Sequence, residues 1–187
     1  CKNLAGVSAS QVEIQSGIQF YDGISTAEIQ EILIRSASDL IDLDHVNYQY
    51  VAARLLLFSL RKQVFGRIHD HPTLIDHVKV NVKKRVYDAE ILDLYTEEEF
   101  SKLQGFIDHD RDYIFTYAGL RQVVDKYLVQ DRSSGELYES PQFMYLLISA
   151  TIFSKYPKET RLDYVKKYYD AISKHKINIP TPIMAGV

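Results

Sequence analysis

Ser10 and Glu13, Ser25 and Glu28, and Thr96 and Glu99 each set a serine or threonine three residues ahead of a glutamate, in front of a run with helical character. At that spacing the hydroxyl accepts from the N–H three positions on, while the glutamate reaches back to the cap's own N–H, so each pair marks a helix start. Apolar residues at helical intervals follow. Ile29, Ile32, Leu33, Ala37, Leu40 and Ile41 trail the second pair, and Phe100, Leu103 and Ile107 the third. A long helix is predicted over Tyr48–Phe65, with Val51, Ala52, Leu55, Leu56 and Leu60 on one stripe, Lys62 in its last turn and Gly66 just beyond. Further helices are expected from Thr73, over 88–95, over 112–126, from Ser140-Pro141 to Phe153, and past Tyr156-Pro157 to Ser173. Residues 127–130 and 137–138, turning at Ser133-Ser134-Gly135, predict a hairpin. The tail 177–187, with Pro180 and Pro182, reads as an extended strand or linker. The fold class is therefore mainly α, a multi-helix domain with one short β-hairpin. Gly66 to Pro72 is the natural division, giving units over 1–66 and 67–187.

Charge and cysteine content narrow the function classes. A net charge of −3 gives no electrostatic reason to expect nucleic acid or an anionic membrane surface. The longest apolar run, Phe143–Phe153, is too short to cross a bilayer. Cys1 is the one cysteine, so no internal disulfide is possible and a cytoplasmic location is expected. The chain opens Cys1-Lys2-Asn3-Leu4 and closes on apolar residues, which reads as an internal piece cut at both ends.

Few constellations carry chemistry. His69, Asp70, His71 and His77 could bind a metal, but their spacing matches no helical ligand pair, and a polar loop is favoured; no metal site is expected. Asp108-His109-Asp110-Arg111-Asp112 fits a helix junction better than acid–base work. The fourteen tyrosines read as packing residues with bonded hydroxyls. Neither a phosphate-binding glycine loop nor a dinucleotide fingerprint occurs. One place suits an anion. Thr26 falls in the first turn after Ser25, where helix N–H groups lack partners, and Lys62 is a flexible cation that could reach the same phosphate if the helices pack together.

Longer phrases are more specific. Ile18-Gln19-Phe20-Tyr21-Asp22-Gly23-Ile24, Asn47-Tyr48-Gln49-Tyr50-Val51-Ala52-Ala53-Arg54-Leu55 and Tyr95-Thr96-Glu97-Glu98-Glu99-Phe100 occur in order. Phe106-Ile107-Asp108-His109-Asp110-Arg111-Asp112, Lys126-Tyr127-Leu128-Val129-Gln130 and Ile179-Pro180-Thr181-Pro182-Ile183-Met184 follow. Together they resemble the large (alpha) subunit of class Ia ribonucleotide reductase along essentially the whole chain. The resemblance implies a truncated ATP-cone helical unit over 1–66, then the N-terminal helical domain over 67–187, ending at the entry to an absent α/β barrel. It implies that Thr26 and Lys62 contact the phosphates of ATP or dATP, which act as allosteric effectors and not as tightly bound cofactors, with binding by this fragment alone expected to be weak or absent. Glu28 stands where the family has an acidic residue that affects effector discrimination. Gln30 and Ser59 replace family histidines, a departure that bears on the same discrimination. Thr181 matches a threonine near the substrate diphosphate.

The function so implied is reduction of ribonucleoside diphosphates to deoxyribonucleoside diphosphates by the full-length protein. Its expected partners are a radical-generating small subunit, a second large subunit and nucleotides. The catalytic cysteines are expected outside this fragment, which alone is expected to be inactive. The competing reading is a non-catalytic helical module for regulation or protein interaction.

Overall fold

A computed structural model describes residue 1 and residues 3–184. It contains ten α-helices among the described residues: α1 (Ala9–Gly17), α2 (Thr26–Asp39), α3 (Tyr48–Phe65), α4 (Leu74–Lys83), α5 (Glu90–Leu94), α6 (Glu97–Gln104), α7 (Tyr117–Gln122), α8 (Pro141–Phe153), α9 (Arg161–Ser173) and α10 (Thr181–Met184). A 3-10 turn, His109–Ile114, precedes α7, and a π turn, Val123–Tyr127, follows it. The chain is mainly helical, as its capping and periodicity predict. It divides into two compact units, Cys1–Leu60 with Tyr113–Val124, and Arg61–Asp112 with Asp125–Val187.

In the first unit, Val12 of α1, Ala37 of α2 and Tyr48, Val51 and Ala52 of α3 form a core. Leu33, Leu40, Leu55 and Tyr117 pack against it. The small alanines admit the tyrosine ring, and its hydroxyl is used: it accepts from the Ser8 N–H at 2.9 Å and donates to Gln11 Oε1. That contact fixes where α1 begins. Ser8 is its N-cap and makes no side-chain cap bond. The predicted Ser10–Glu13 box is therefore not formed, because the chain enters the helix two residues earlier. The Ser25–Glu28 and Thr96–Glu99 boxes are both present.

In the second unit the organising element is α8, whose residues Pro141 to Ala150 are all buried. Proline at its first position costs no hydrogen bond there. α9 packs along α8, and α10 also touches it. The polar groups of α8 are matched individually. Gln142 donates to Asp112 Oδ1 at 2.8 Å and accepts from the Tyr169 hydroxyl at 2.7 Å. The Tyr95 hydroxyl donates to the Ala150 carbonyl at 2.7 Å. Glu99 does double work: besides closing its capping box, it accepts from Arg161 Nε at 2.8 Å and Nη2 at 2.7 Å. Arg161 is only 3% exposed and lies over the Tyr95 ring.

Three expectations are corrected. The hairpin turns where predicted, at Gly135 with φ 76°, but it forms a single antiparallel bridge, Gln130 to Leu137, and not paired strands. Two bonds between the arms flank that bridge, Asp131 N–H to the Glu136 carbonyl at 2.9 Å and Tyr138 N–H to the Val129 carbonyl at 3.0 Å. The continuous helix predicted over 112–126 is broken. Asp112 is drawn into a buried ion pair with Arg61, and Thr116 restarts the helix by accepting from the Gly119 N–H. The tail folds at 181–184 into α10 instead of extending, because Pro182 sits in a first turn, where it loses no helical bond. Residues 185–187 of that predicted tail lie outside the described residues.

Removing one partner from a buried ion pair strands the other. Arg161→Ala is expected to destabilise the chain by about 3–5 kcal/mol, against about 1 kcal/mol for the exposed cap change Ser25→Ala. Urea denaturation of the two variants checks the order; equal losses would contradict it.

Candidate functional site

The start of α2 is built by a turn and a cap. Gly23, with φ 87°, permits the turn after Tyr21-Asp22. Ser25 then caps the helix, its hydroxyl accepting from the Glu28 N–H at 3.2 Å. Glu28 Oε2 accepts from the Ser25 N–H at 3.0 Å and the Ser25 hydroxyl at 2.7 Å, while its Oε1 accepts from the Tyr21 hydroxyl at 3.0 Å. These donors, the Ser25 hydroxyl foremost, hold the Glu28 carboxyl below its ordinary range. The tie from Tyr21 is the part that the sequence did not show, since it joins residues seven apart and lies outside the cap spacing.

The first amides of a helix have no acceptor within it. Here the Glu28 N–H goes to Ser25 Oγ and the Ile29 N–H to the Ser25 carbonyl. The helix itself supplies none for Thr26 and Ala27. Thr26 is exposed at the first helical position, with a hydroxyl beside those amides. The arrangement can donate to an anion, and the helix dipole favours one there. Glu28 works against it with its charge, although both its oxygens are already bonded.

The remaining predicted residues are placed as follows. Gln30 is half-buried and donates to the Leu55 carbonyl of α3 at 2.9 Å, so its amide ties α2 to α3. Ser59 is half-buried, one helical turn beyond Leu55. Lys62 is exposed in the last turn of α3 and belongs to the second unit. Thr181 begins α10, and its hydroxyl shares a hydrogen bond with the Tyr127 hydroxyl at 3.1 Å.

His71, His77 and His109 of the second unit pack against other rings. The His71 and His109 rings meet at a tilt of 40° with centroids 3.8 Å apart, and His77 lies against Phe143 at 4.4 Å. Burial holds His71 and His77 down at about 4, with Arg61's charge adding to the effect on His71. Burial, His71 and Arg61 hold His109 down at about 3. No group of three or more His, Cys, Asp or Glu side chains among the described residues is placed to hold a metal. Asp112 is likewise committed, to Arg61 and Gln142, and burial holds its carboxyl up at about 6 against the pull of both. No helix among the described residues is long and apolar enough to cross a membrane.

Two family models match parts of the chain. Residues 4–63 match the ATP cone domain, and residues 113–187 match the ribonucleotide reductase all-alpha domain. Over 186 residues the chain is 58% identical to the ribonucleoside-diphosphate reductase subunit alpha of Haemophilus influenzae. It is 55% identical over 186 residues to the ribonucleoside-diphosphate reductase 1 subunit alpha of Escherichia coli. The subunit alpha of Enterobacteria phage T4 is 42% identical over 183 residues. These alignments cover 100%, 100% and 97% of this chain and 24% of each relative, so the chain spans about a quarter of the length of the curated relatives it matches.

A second buried carboxyl lacks the arginine that Asp112 has. Burial holds Glu139 up at about 7 from 4.5, against the bonds from the Tyr87 hydroxyl and Val129 N–H. A carboxyl whose folded pKa is raised stabilises the fold in its protonated form. That contribution is complete below about pH 4.5 and is lost as pH rises through about 7. Glu139→Gln, which cannot ionise, is expected to flatten this fall by up to about 1.4 kcal/mol per pH unit. Denaturation midpoints at both ends of the window check it; parallel slopes for the two proteins would contradict it.

Proposed function

We propose that the chain is a piece of a ribonucleotide reductase large subunit and that it carries part of the ATP/dATP activity-regulating site of a ribonucleoside-diphosphate reductase. The complete protein converts ribonucleoside diphosphates to deoxyribonucleoside diphosphates in the cytoplasm. It pairs with a second large subunit and with a small subunit that supplies the radical. As functional divisions we propose residues 1–66 for the effector-responsive part and 67–187 for the helical part.

The observation that carries this reading is the exposed start of α2, with Thr26 and two first-turn amides offered outward, inside the residues that match the ATP cone. ATP and dATP act as effectors that come and go. The Thr26 hydroxyl and the amides of Thr26 and Ala27 donate to phosphate oxygens. The Lys62 ammonium supplies a positive charge for phosphate. Glu28, Gln30 and Ser59 bear on which effector is preferred. Gln30 does so through α3, because its amide is bonded to the Leu55 carbonyl. Thr181 is assigned to the substrate diphosphate. No residue here is assigned to the reduction step, since the one cysteine is Cys1.

Calorimetric titration of ATP and dATP into the chain tests the proposal. Saturable binding, weakened about tenfold or more in Thr26→Val and in Lys62→Ala, is the expected result. Absence of binding, or binding untouched by both substitutions, would overturn the assignment. Incubated alone with a ribonucleoside diphosphate and a dithiol reductant, the chain is expected to form no deoxyribonucleotide; turnover would contradict the placement of the chemistry elsewhere.

A further inference from the structure

The second unit buries three carboxylates in its interior or nearly so, and they are treated differently. Asp112 is paired with Arg61, and Glu99 with Arg161. Glu139, 3% exposed, has only neutral partners: the Tyr87 hydroxyl at 2.6 Å on one oxygen and the Val129 N–H at 2.9 Å on the other. An ionised carboxylate offers about four acceptor positions, so each oxygen keeps one in reserve. Buried charges are ordinarily offset by an opposite charge. None of the ion pairs among the described residues supplies one to Glu139.

What Glu139 has instead is a cavity of about 220 Å³. Ile91 and Leu94 of α5 and Leu147 and Ile148 of α8 give it an apolar lining. Its charged lining residues are Asp88, Glu90 and Glu139, with no lysine or arginine. Three carboxyls repel an anion. A neutral apolar guest would leave Glu139 uncompensated. A metal ion lacks its ligand set, since no metal-holding group of three occurs among the described residues.

We propose that this cavity is a binding site for a small primary amine on an apolar body. The ammonium donates to Glu139 and gives it the counter-charge that Arg61 gives Asp112. The hydrocarbon part lies against the α5 and α8 side chains. Asp88 and Glu90 also line the cavity, but both are exposed and their charges are screened by water, whereas that of Glu139 is buried. Tyr87 is held well above its ordinary range by burial and by Glu139 itself. His77, whose Nε2 lies 3.2 Å from the Tyr87 hydroxyl, is held down at about 4 and is neutral. An ammonium beside Glu139 favours its ionised form, so binding below about pH 7 displaces a proton from the carboxyl.

The test is calorimetric titration of the 187-residue chain at pH 8 with n-hexylammonium, and with 1-hexanol and hexanoate as neutral and anionic isosteres. The amine is expected to bind about tenfold or more tightly than the alcohol, and the acid not to bind. Glu139→Gln is expected to erase the preference for amine over alcohol. Ile91→Trp, which fills the cavity and leaves the carboxylate in place, is expected to weaken amine binding about tenfold and serves if the first variant does not fold. Titration of the native chain at pH 6.5 in two buffers of different ionisation enthalpy should report proton release. Equal affinity for amine and alcohol, no amine binding by the native chain, or amine binding that survives Ile91→Trp unchanged would overturn the site.

Discussion

Ten consecutive buried residues in α8, Pro141 to Ala150, set the terms for the second unit. A helix that is apolar on every side has no solvent face and must be surrounded. Each fully buried large side chain on it is worth about 1.5–3 kcal/mol relative to exposure, enough to order the elements that cover it. The cost falls on the polar groups carried inside with it, which need partners in place. Gln142 finds Asp112 and Tyr169, and the Ser149 hydroxyl turns back to the Tyr145 carbonyl at 2.7 Å. The break in the predicted 112–126 helix follows from the same demand, because Asp112 serves the interior and cannot also continue a surface helix.

The first unit works on smaller terms. There a tyrosine is buried among alanines and valines, and the α2 start is organised by single hydrogen bonds at its surface. Such a site is set by local chemistry: a glycine turn, a serine cap and a threonine at the first helical position. Glu28 is a structural element of that cap before it is anything else. Its bonds to Ser25 and Tyr21 fix a negative charge near the place where phosphate is proposed to bind. Any preference among effectors is therefore read against a carboxylate that is already oriented.

Local chemistry is also what the sequence displays. The limits of α3 were legible at Tyr48 and Phe65 because Gly66 ends the helix in a left-handed turn, and the Ser25 and Thr96 caps were legible because their partners lie three residues away. The features that escaped depend on distant partners. Ser8 replaces Ser10 at the head of α1 because of Tyr48, forty residues on. The 112–126 break depends on Arg61, fifty-one residues before Asp112. Thr26 could be placed at a helix start from sequence, whereas the bond from Gln30 to the Leu55 carbonyl needed the fold. The unpaired charge of Glu139 was invisible for the same reason, since a glutamate's missing counter-ion is a property of its surroundings.

The central claim is that phosphate is held by the first turn of α2. Hydrogen–deuterium exchange at the amides of residues 26–29, with and without dATP, addresses it most directly. Slower exchange at Thr26 and Ala27, larger than at Glu28 and Ile29, whose amides already have acceptors, is the predicted result. Unchanged exchange at Thr26 and Ala27 under saturating nucleotide would contradict the claim and place the effector elsewhere.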